Sequence, residues 1–388
     1  MTELAIVGAG IGGLVAALAL AKRGVKAKVY EQAPALEAVG AGISLTPNAS
    51  RVLEGLGLYD FLIENAEQPS ANLTRHYKTW DLLIDIQRED ARGEYGAPYY
   101  QIHRADLHTA LVDALEAGVP DCISTGKALE HIEQDVGGAL MRFADGSEAK
   151  ADIVVAADGL RSVVRKQLFD ARAPHYLGQI AYRGLVPRAS LDPTWHSDES
   201  QNLIGPGAVF VSYPVCRGEV INFVGLAQTD AWVDEGWSTP ATKEEILERY
   251  EGWHESVADM VNAAPEGALR KWGLFGHHPL PAFCKGSVAL LGDAAHPMLP
   301  FFGMGAAMAI EDGAVLARCL TELGKPSLAL KHYERLRMPR THMVQSESAK
   351  GGERLQSADP DAMNRMTVRN EDSLGLFHYD ALHMTLDL

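Results

Sequence analysis

The chain has 388 residues, 47% apolar and 22% charged, which are proportions of a folded globular protein and exclude a disordered one. At roughly 150 residues per domain, that length predicts two or three structural units with ample core. A formal net charge of −16 sets the surface against phosphate backbones and excludes nucleic acid as a partner.

The first thirty residues read as one βαβ unit. Leu4 to Val7 is a short buried strand, and Gly8-Ala9-Gly10-Ile11-Gly12-Gly13 is a turn. Leu14 to Arg23 carries apolar residues at helical spacing and stops at Gly24; Ala27 to Tyr30 is a second strand, followed by Glu31. Gly8 permits the tight turn, Gly10 lets the backbone approach a pyrophosphate, and Gly13 lets helix and strand pack closely. The helix start then offers free N–H groups to phosphate. Glu31 stands where an acceptor for a ribose hydroxyl belongs, and an acid there favours an unphosphorylated ribose. Both FAD and NAD satisfy that pattern. Ile6 to Ala21 is apolar enough to resemble a signal segment, but Met1-Thr2-Glu3 lacks the positive start of one, and the run is too short to span a bilayer. The reading is a cytoplasmic protein without a membrane partner.

Further along, Gly126 to Phe143 alternates loosely and predicts a hairpin at Gly137-Gly138. Ala151 to Ala157 is a continuous apolar run ending in Asp158-Gly159, as a parallel strand entering a loop would. From Gly178 to about Trp237 the pattern is β-rich, with Val209 to Tyr213 and Val220 to Leu226 as strands. Glu244 to Val261 reads as one helix, Ser287 to Leu291 as a buried strand ending in Gly292-Asp293, and Ala306 to Leu323 as a helix. The cluster Arg335, Arg337 and Arg340 reads as a solvated helix face or an interface. Cys122, Cys216, Cys284 and Cys319 are scattered, with no spacing for a metal site, and predict buried thiols in a reducing compartment.

Three segments taken together carry a resemblance. Gly8 to Gly13, Asp158-Gly159-Leu160-Arg161-Ser162 and Gly292-Asp293-Ala294-Ala295-His296-Pro297 each follow a predicted strand. In that order they resemble the three fingerprints of the flavin-dependent aromatic hydroxylases, the single-component group A monooxygenases. The likeness runs from residue 3 to roughly residue 340, and within the family the salicylate, 3-hydroxybenzoate and 6-hydroxynicotinate hydroxylases are most similar. The resemblance implies an α/β fold: a discontinuous Rossmann-like FAD-binding domain (1–72, 98–177 and 270–340), an inserted β-sheet substrate domain (73–97 and 178–269) and a helical C-terminal segment (341–388).

The same resemblance implies roles for individual residues. Glu31 would hold the adenosine ribose, Arg104 would contact the flavin side of FAD, and Asp158 would serve both FAD and a passing pyridine nucleotide. Asp293 would accept from the ribityl hydroxyls, while Pro300 and Gly303-Met304-Gly305 would run along the isoalloxazine ring. Independently of the family, glycines at 303 and 305 let a ring approach without Cβ interference, and an aspartate after a strand suits sugar-like hydroxyls. Alone, Asp158 and Asp293 also read as turn and helix caps, and His296 reads as a structural loop residue.

Gly40 to Asn48 matches a flavin-proximal segment. Ser44 stands where the 6-hydroxynicotinate enzymes carry a histidine, which leaves Ser44 as substrate contact or turn residue. Val211-Ser212-Tyr213-Pro214 resembles the strand with the active-site tyrosine, so Tyr213 is the candidate phenol hydrogen-bonding group. The histidine that related enzymes place about four residues earlier is absent from Ala208-Val209-Phe210, and the glutamine many carry at 304 is Met304. Arg183 would pair with a substrate carboxylate, with flavin, or with a structural partner. The implied activity is hydroxylation of a hydroxylated, carboxylated aromatic or pyridine ring in aromatic catabolism, with or without decarboxylation. Oxygen would come from a flavin hydroperoxide, with O2 and NADH (or NADPH) consumed and a homodimer compatible. The alternatives are another FAD oxidoreductase, such as a dehydrogenase or reductase, and a non-catalytic flavin-binding regulator.

Overall fold

A computed structural model describes residues 3–36, 40–194, 197–230, 232, 239–361 and 372–386. Two large sheets organise them. The first has six strands in the order Cys284–Lys285, Val288–Leu290, Ile153–Ala156, Leu4–Val7, Ala27–Tyr30 and Ile123–Ser124. All neighbours are parallel except the terminal pair Cys284–Lys285 and Val288–Leu290. Strands Leu4–Val7, Ile153–Ala156 and Val288–Leu290 are fully buried, as their unbroken apolar runs require when helices cover both faces of a sheet.

The helix after the first strand, Ile11–Lys22, packs with Gly305–Glu322 over this sheet, and Pro326–Leu355 packs on the latter. Gly13 sits where a Cβ would lie 2.1 Å from the Gly8 carbonyl oxygen, so only a residue without a side chain lets helix and strand approach this closely. The hairpin expected before residue 143 forms as Leu129–Asp135 and Gly138–Phe143, with Glu148–Ala151 as a third strand.

The second sheet has eight strands in the order Thr239–Pro240, Arg270–Gly276, His175–Pro187, Val220–Gln228, Ala208–Val215, Ser200–Gly205, Ala71–His76 and Leu82–Gln87. Its pairs are antiparallel apart from Ser200–Gly205 with Ala71–His76. The sheet therefore draws strands from on either side of the 98–177 stretch and continues past residue 269 into Arg270–Gly276. The predicted end of the β-rich stretch at Trp237 lies outside the described residues, as do 362–371 and 387–388 of the C-terminal segment.

Two expectations are corrected. The single helix predicted from Glu244 to Val261 is two helices, Lys243–Arg249 and Glu255–Ala263. Gly252 between them adopts φ +76°, and His254 caps the second by accepting the Ser256 N–H. The arginine cluster is not a solvated face: Arg335 is exposed, but Arg337 is fully buried and Arg340 half-buried. Arg337 pairs with Glu311 at 2.6 Å and Asp312 at 2.7 Å, and Arg340 pairs with Glu311 at 2.8 Å. Two fully buried acids on the facing helix require cations beside them, which helical periodicity in one segment does not reveal. The helix carrying these arginines runs unbroken across 340 and 341 to Leu355. No helix among the described residues is long and apolar enough to cross a membrane.

Candidate active site

Four adjacent parallel strands end on one side of the first sheet, each handing the chain to a loop. In sheet order those loops carry Asp293, Asp158, Gly8 and Glu31. They converge on one cavity of about 920 Å³, which extends beneath the second sheet. That volume is at the upper end of the roughly 300–1,000 Å³ of small-molecule pockets, room for a dinucleotide. It lies in the crevice outside the carboxyl ends of parallel strands, where doubly wound sheets bind ligands.

At the first-loop end, Gly8 has φ +103°, and a Cβ there would lie 2.4 Å from the Ala157 carbonyl oxygen. Gly10 lines the cavity, and a Cβ on it would have nothing within 4 Å, so the backbone is open to a ligand. Glu31 accepts the Ala9 N–H at 2.8 Å and the Ala33 N–H at 2.9 Å, which fixes its carboxylate at the cavity wall. Asp158 also lines the cavity, but its Oδ2 accepts the Val163 N–H at 2.8 Å and so caps the helix Val163–Leu168. Its turn-capping role is thus part of the geometry.

Asp293 presents its carboxylate to the cavity with no hydrogen-bond partner among the described residues. The protein ringing it raises its pKa through desolvation, against the pull of His296 and Arg104. Arg104 begins the helix Arg104–Gly118 and lines the same wall; burial lowers its pKa while Asp293 supports its charge. Pro300, Gly303 and Gly305 line the next stretch, where Gly303 adopts φ +62° and the 18-residue helix Gly305–Glu322 points its N-terminus at the cavity.

Met304 departs from expectation. It is fully buried, does not line the cavity, and its sulfur takes a 3.6 Å contact from the Thr46 hydroxyl. As the N-cap of a helix that packs against the core, it turns inward while its glycine neighbours face out. At Gly42 the neighbouring protein comes close: a Cβ there would lie 2.7 Å from both the Tyr213 ring and Asn222.

The second sheet forms the far wall. Tyr213 is buried there, with Ser44 on the same cavity wall; burial raises the phenol pKa well above its usual value, with Arg183 opposing. Arg183 lies 4.5 Å from the Trp272 ring, and its Nε is buried without a partner; no carboxylate pairs with it among the described residues. Thus the geometry brings together Gly8, Gly10, Gly13, Glu31, Arg104, Asp158, Asp293, Pro300, Gly303, Gly305, Ser44, Arg183 and Tyr213, and leaves out Met304. Motif reading missed Tyr99, Asn72, Ser200 and Asn202 on this wall. Period-two alternation through 200–205 would have marked Ser200 and Asn202 as sharing a face; nothing local marks Asn72 or Tyr99.

A Rossmann-type sheet whose strand ends carry a glycine turn, an acid fixed at the cavity wall and an unpartnered aspartate defines a dinucleotide-binding protein. Comparison with known proteins makes the class specific. A family model described as FAD binding domain matches residues 1–348. The chain is 36% identical to 6-hydroxynicotinate 3-monooxygenase of Pseudomonas fluorescens, over 99% of this chain and 96% of that protein. It is 39% identical to 3-amino-4-hydroxybenzoate 2-monooxygenase of Streptomyces cremeus, over 94% and 90%. A solved salicylate hydroxylase in complex with substrate superposes with a TM-score of 0.82 at 28% identity, covering 98% of this chain and 96% of that one. The chain belongs to the FAD-dependent aromatic hydroxylases and is an FAD-dependent aromatic monooxygenase. The residues present fit FAD: an open Gly10 backbone, a free Asp293 carboxylate and two helix N-termini face one cavity.

Proposed function

We propose that this protein hydroxylates a hydroxylated, carboxylated aromatic or pyridine ring in the cytoplasm, in aromatic catabolism, consuming O2 and NADH or NADPH. The observation that carries the reading is one cavity joining the strand-end loops to a wall bearing Tyr213, Ser44 and Arg183. The names of the relatives, which act on 6-hydroxynicotinate and 3-amino-4-hydroxybenzoate, support the substrate class.

In this reading Glu31 receives the adenosine ribose, Asp293 the ribityl chain, and Gly303 and Gly305 admit the ring. Bound FAD supplies the reducing and oxygen-activating chemistry; the protein supplies orientation and electrostatics. Tyr213 donates to the substrate's ring oxygen and Ser44 orients the phenol. Arg183, a desolvated cation without a carboxylate partner, holds the substrate's anionic group. Asp158 supports the loop along which a pyridine nucleotide passes. No histidine lines the cavity among the described residues, so the proton of the bound ring leaves by a route other than a lining histidine.

The test is a screen of NADH and NADPH oxidation against hydroxybenzoates and hydroxypyridines, followed by mass analysis of products. A gain of one oxygen, with or without loss of carbon dioxide, is expected. Pyridine-nucleotide oxidation that never yields an oxygenated ring would sink the proposal.

A further inference from the structure

The far wall of the cavity is a patterned strip of the second sheet. By register Arg183 stands opposite Val224, Val224 opposite Val211, and Val211 opposite Asn202, so all four project from one face. Arg183 and Asn202 are three strands apart, roughly 14 Å between backbones. Between them the strip is apolar. Beside Asn202, Ser200 is opposite Asn72 on the parallel neighbour, and all three line the cavity.

The two amides are locked together. Asn202 Nδ2 donates to Asn72 Oδ1 and lies 3.5 Å from the Leu73 carbonyl oxygen. Both of its hydrogens are thereby directed at protein. That leaves Asn202 Oδ1 as an acceptor and Asn72 Nδ2 as a donor, neither with a protein partner among the described residues nor buried away from the cavity. The Ser200 hydroxyl adds a group of either sense. None of the three carries charge, and among the described residues no charged side chain is bound to them.

We propose that Asn72 and Asn202, flanked by Ser200, form a neutral reading corner that selects rings bearing an adjacent donor and acceptor. A pyridone lactam fits, its N–H to Asn202 Oδ1 and its C=O to Asn72 Nδ2; vicinal amino and hydroxyl groups fit in the same way. The substrate's single anionic group then belongs at the Arg183 end. A second charge at the corner is rejected because nothing there compensates its desolvation. An all-carbon edge is rejected because it leaves the amide atoms unpaired. This inference rests on the function proposed above and assigns the specificity of that site.

The experiment uses the FAD-loaded protein and measures dissociation constants from the flavin absorbance change. The probes are 6-hydroxynicotinate, 3-amino-4-hydroxybenzoate and 4-hydroxybenzoate, which lacks the nitrogen of each. The unaltered protein should bind both nitrogen-bearing rings about tenfold or more tighter, the worth of one or two hydrogen bonds. Asn72→Ala and Asn202→Ser, each checked for FAD content and thermal midpoint, should shrink that ratio to about twofold. The ratio in the unaltered protein tests the corner even if a variant fails to fold. Equal affinities, no binding of any probe, or a preference that survives both substitutions would overturn it. Discriminating binding without oxygenated product on adding NADH or NADPH would instead sink the monooxygenase reading and leave the corner standing.

Discussion

Asp312 holds His296: its Oδ2 lies 2.6 Å from His296 Nε2, and the same oxygen accepts the Gly292 N–H at 3.0 Å. A carboxylate buried in the helix Gly305–Glu322 thus pins both sides of Asp293, the free acid of the cavity. Its other oxygen takes the Arg337 Nε at 2.7 Å, tying the loop to the long C-terminal helix. Asp312→Asn leaves a buried cation short of charge and should cost about 3–5 kcal/mol of stability. Denaturant unfolding checks this, and a change under about 1 kcal/mol would contradict it.

The same carboxylate predicts an acid limb. Burial alone would raise the Asp312 pKa, but the charges of His296 and Arg337 outweigh it and bring it to about 2 from 3.8. A depressed folded-state value stabilises the fold above the unfolded pKa, and that stability is lost as pH falls from about 4 towards about 2. Its size is roughly 2 kcal/mol. Unfolding midpoints of the unaltered protein and the Asp312→Asn variant, compared from pH 5 down to the lowest pH at which both fold, should converge as the acid is protonated.

Two glycines of the first loop should respond differently. Gly13→Ala drives a Cβ into the Gly8 carbonyl at 2.1 Å and should destabilise the protein by about 1–3 kcal/mol with or without FAD. Gly10→Ala meets no protein atom within 4 Å, so the apoprotein should melt as before while FAD retention falls. Thermal melts of apo and FAD-loaded forms separate the two.

Removing Asp293's carboxylate takes away the unpartnered acceptor of the site. Asp293→Ala should weaken FAD binding about tenfold to a hundredfold, the worth of a charge-assisted hydrogen bond. Flavin content after purification and titration of the apoprotein measure it. Full flavin content would remove Asp293 from the cofactor site.

Tyr213 stays protonated across the neutral range because burial raises its pKa. Tyr213→Phe should therefore slow hydroxylation or divert reducing equivalents to hydrogen peroxide, read as product formed per nucleotide oxidised.

What the sequence by itself determined is the nucleotide half of the molecule: Gly8, Gly10 and Gly13, with Glu31, Asp158 and Asp293 at the ends of apolar runs. There the requirement is local, since a left-handed turn or a strand-to-loop exit is written in a few consecutive residues. Helix limits near Gly252 and the inward turn of Met304 depended on packing. Only the tertiary structure decided the rest. The burial of Arg337 followed from Glu311 and Asp312 on another helix, because a buried acid needs a cation that sequence distance hides. The wall with Arg183, Asn202, Ser200 and Asn72 arose from strand register, which joins residues 72 and 202 through a parallel pairing that no short stretch of chain encodes.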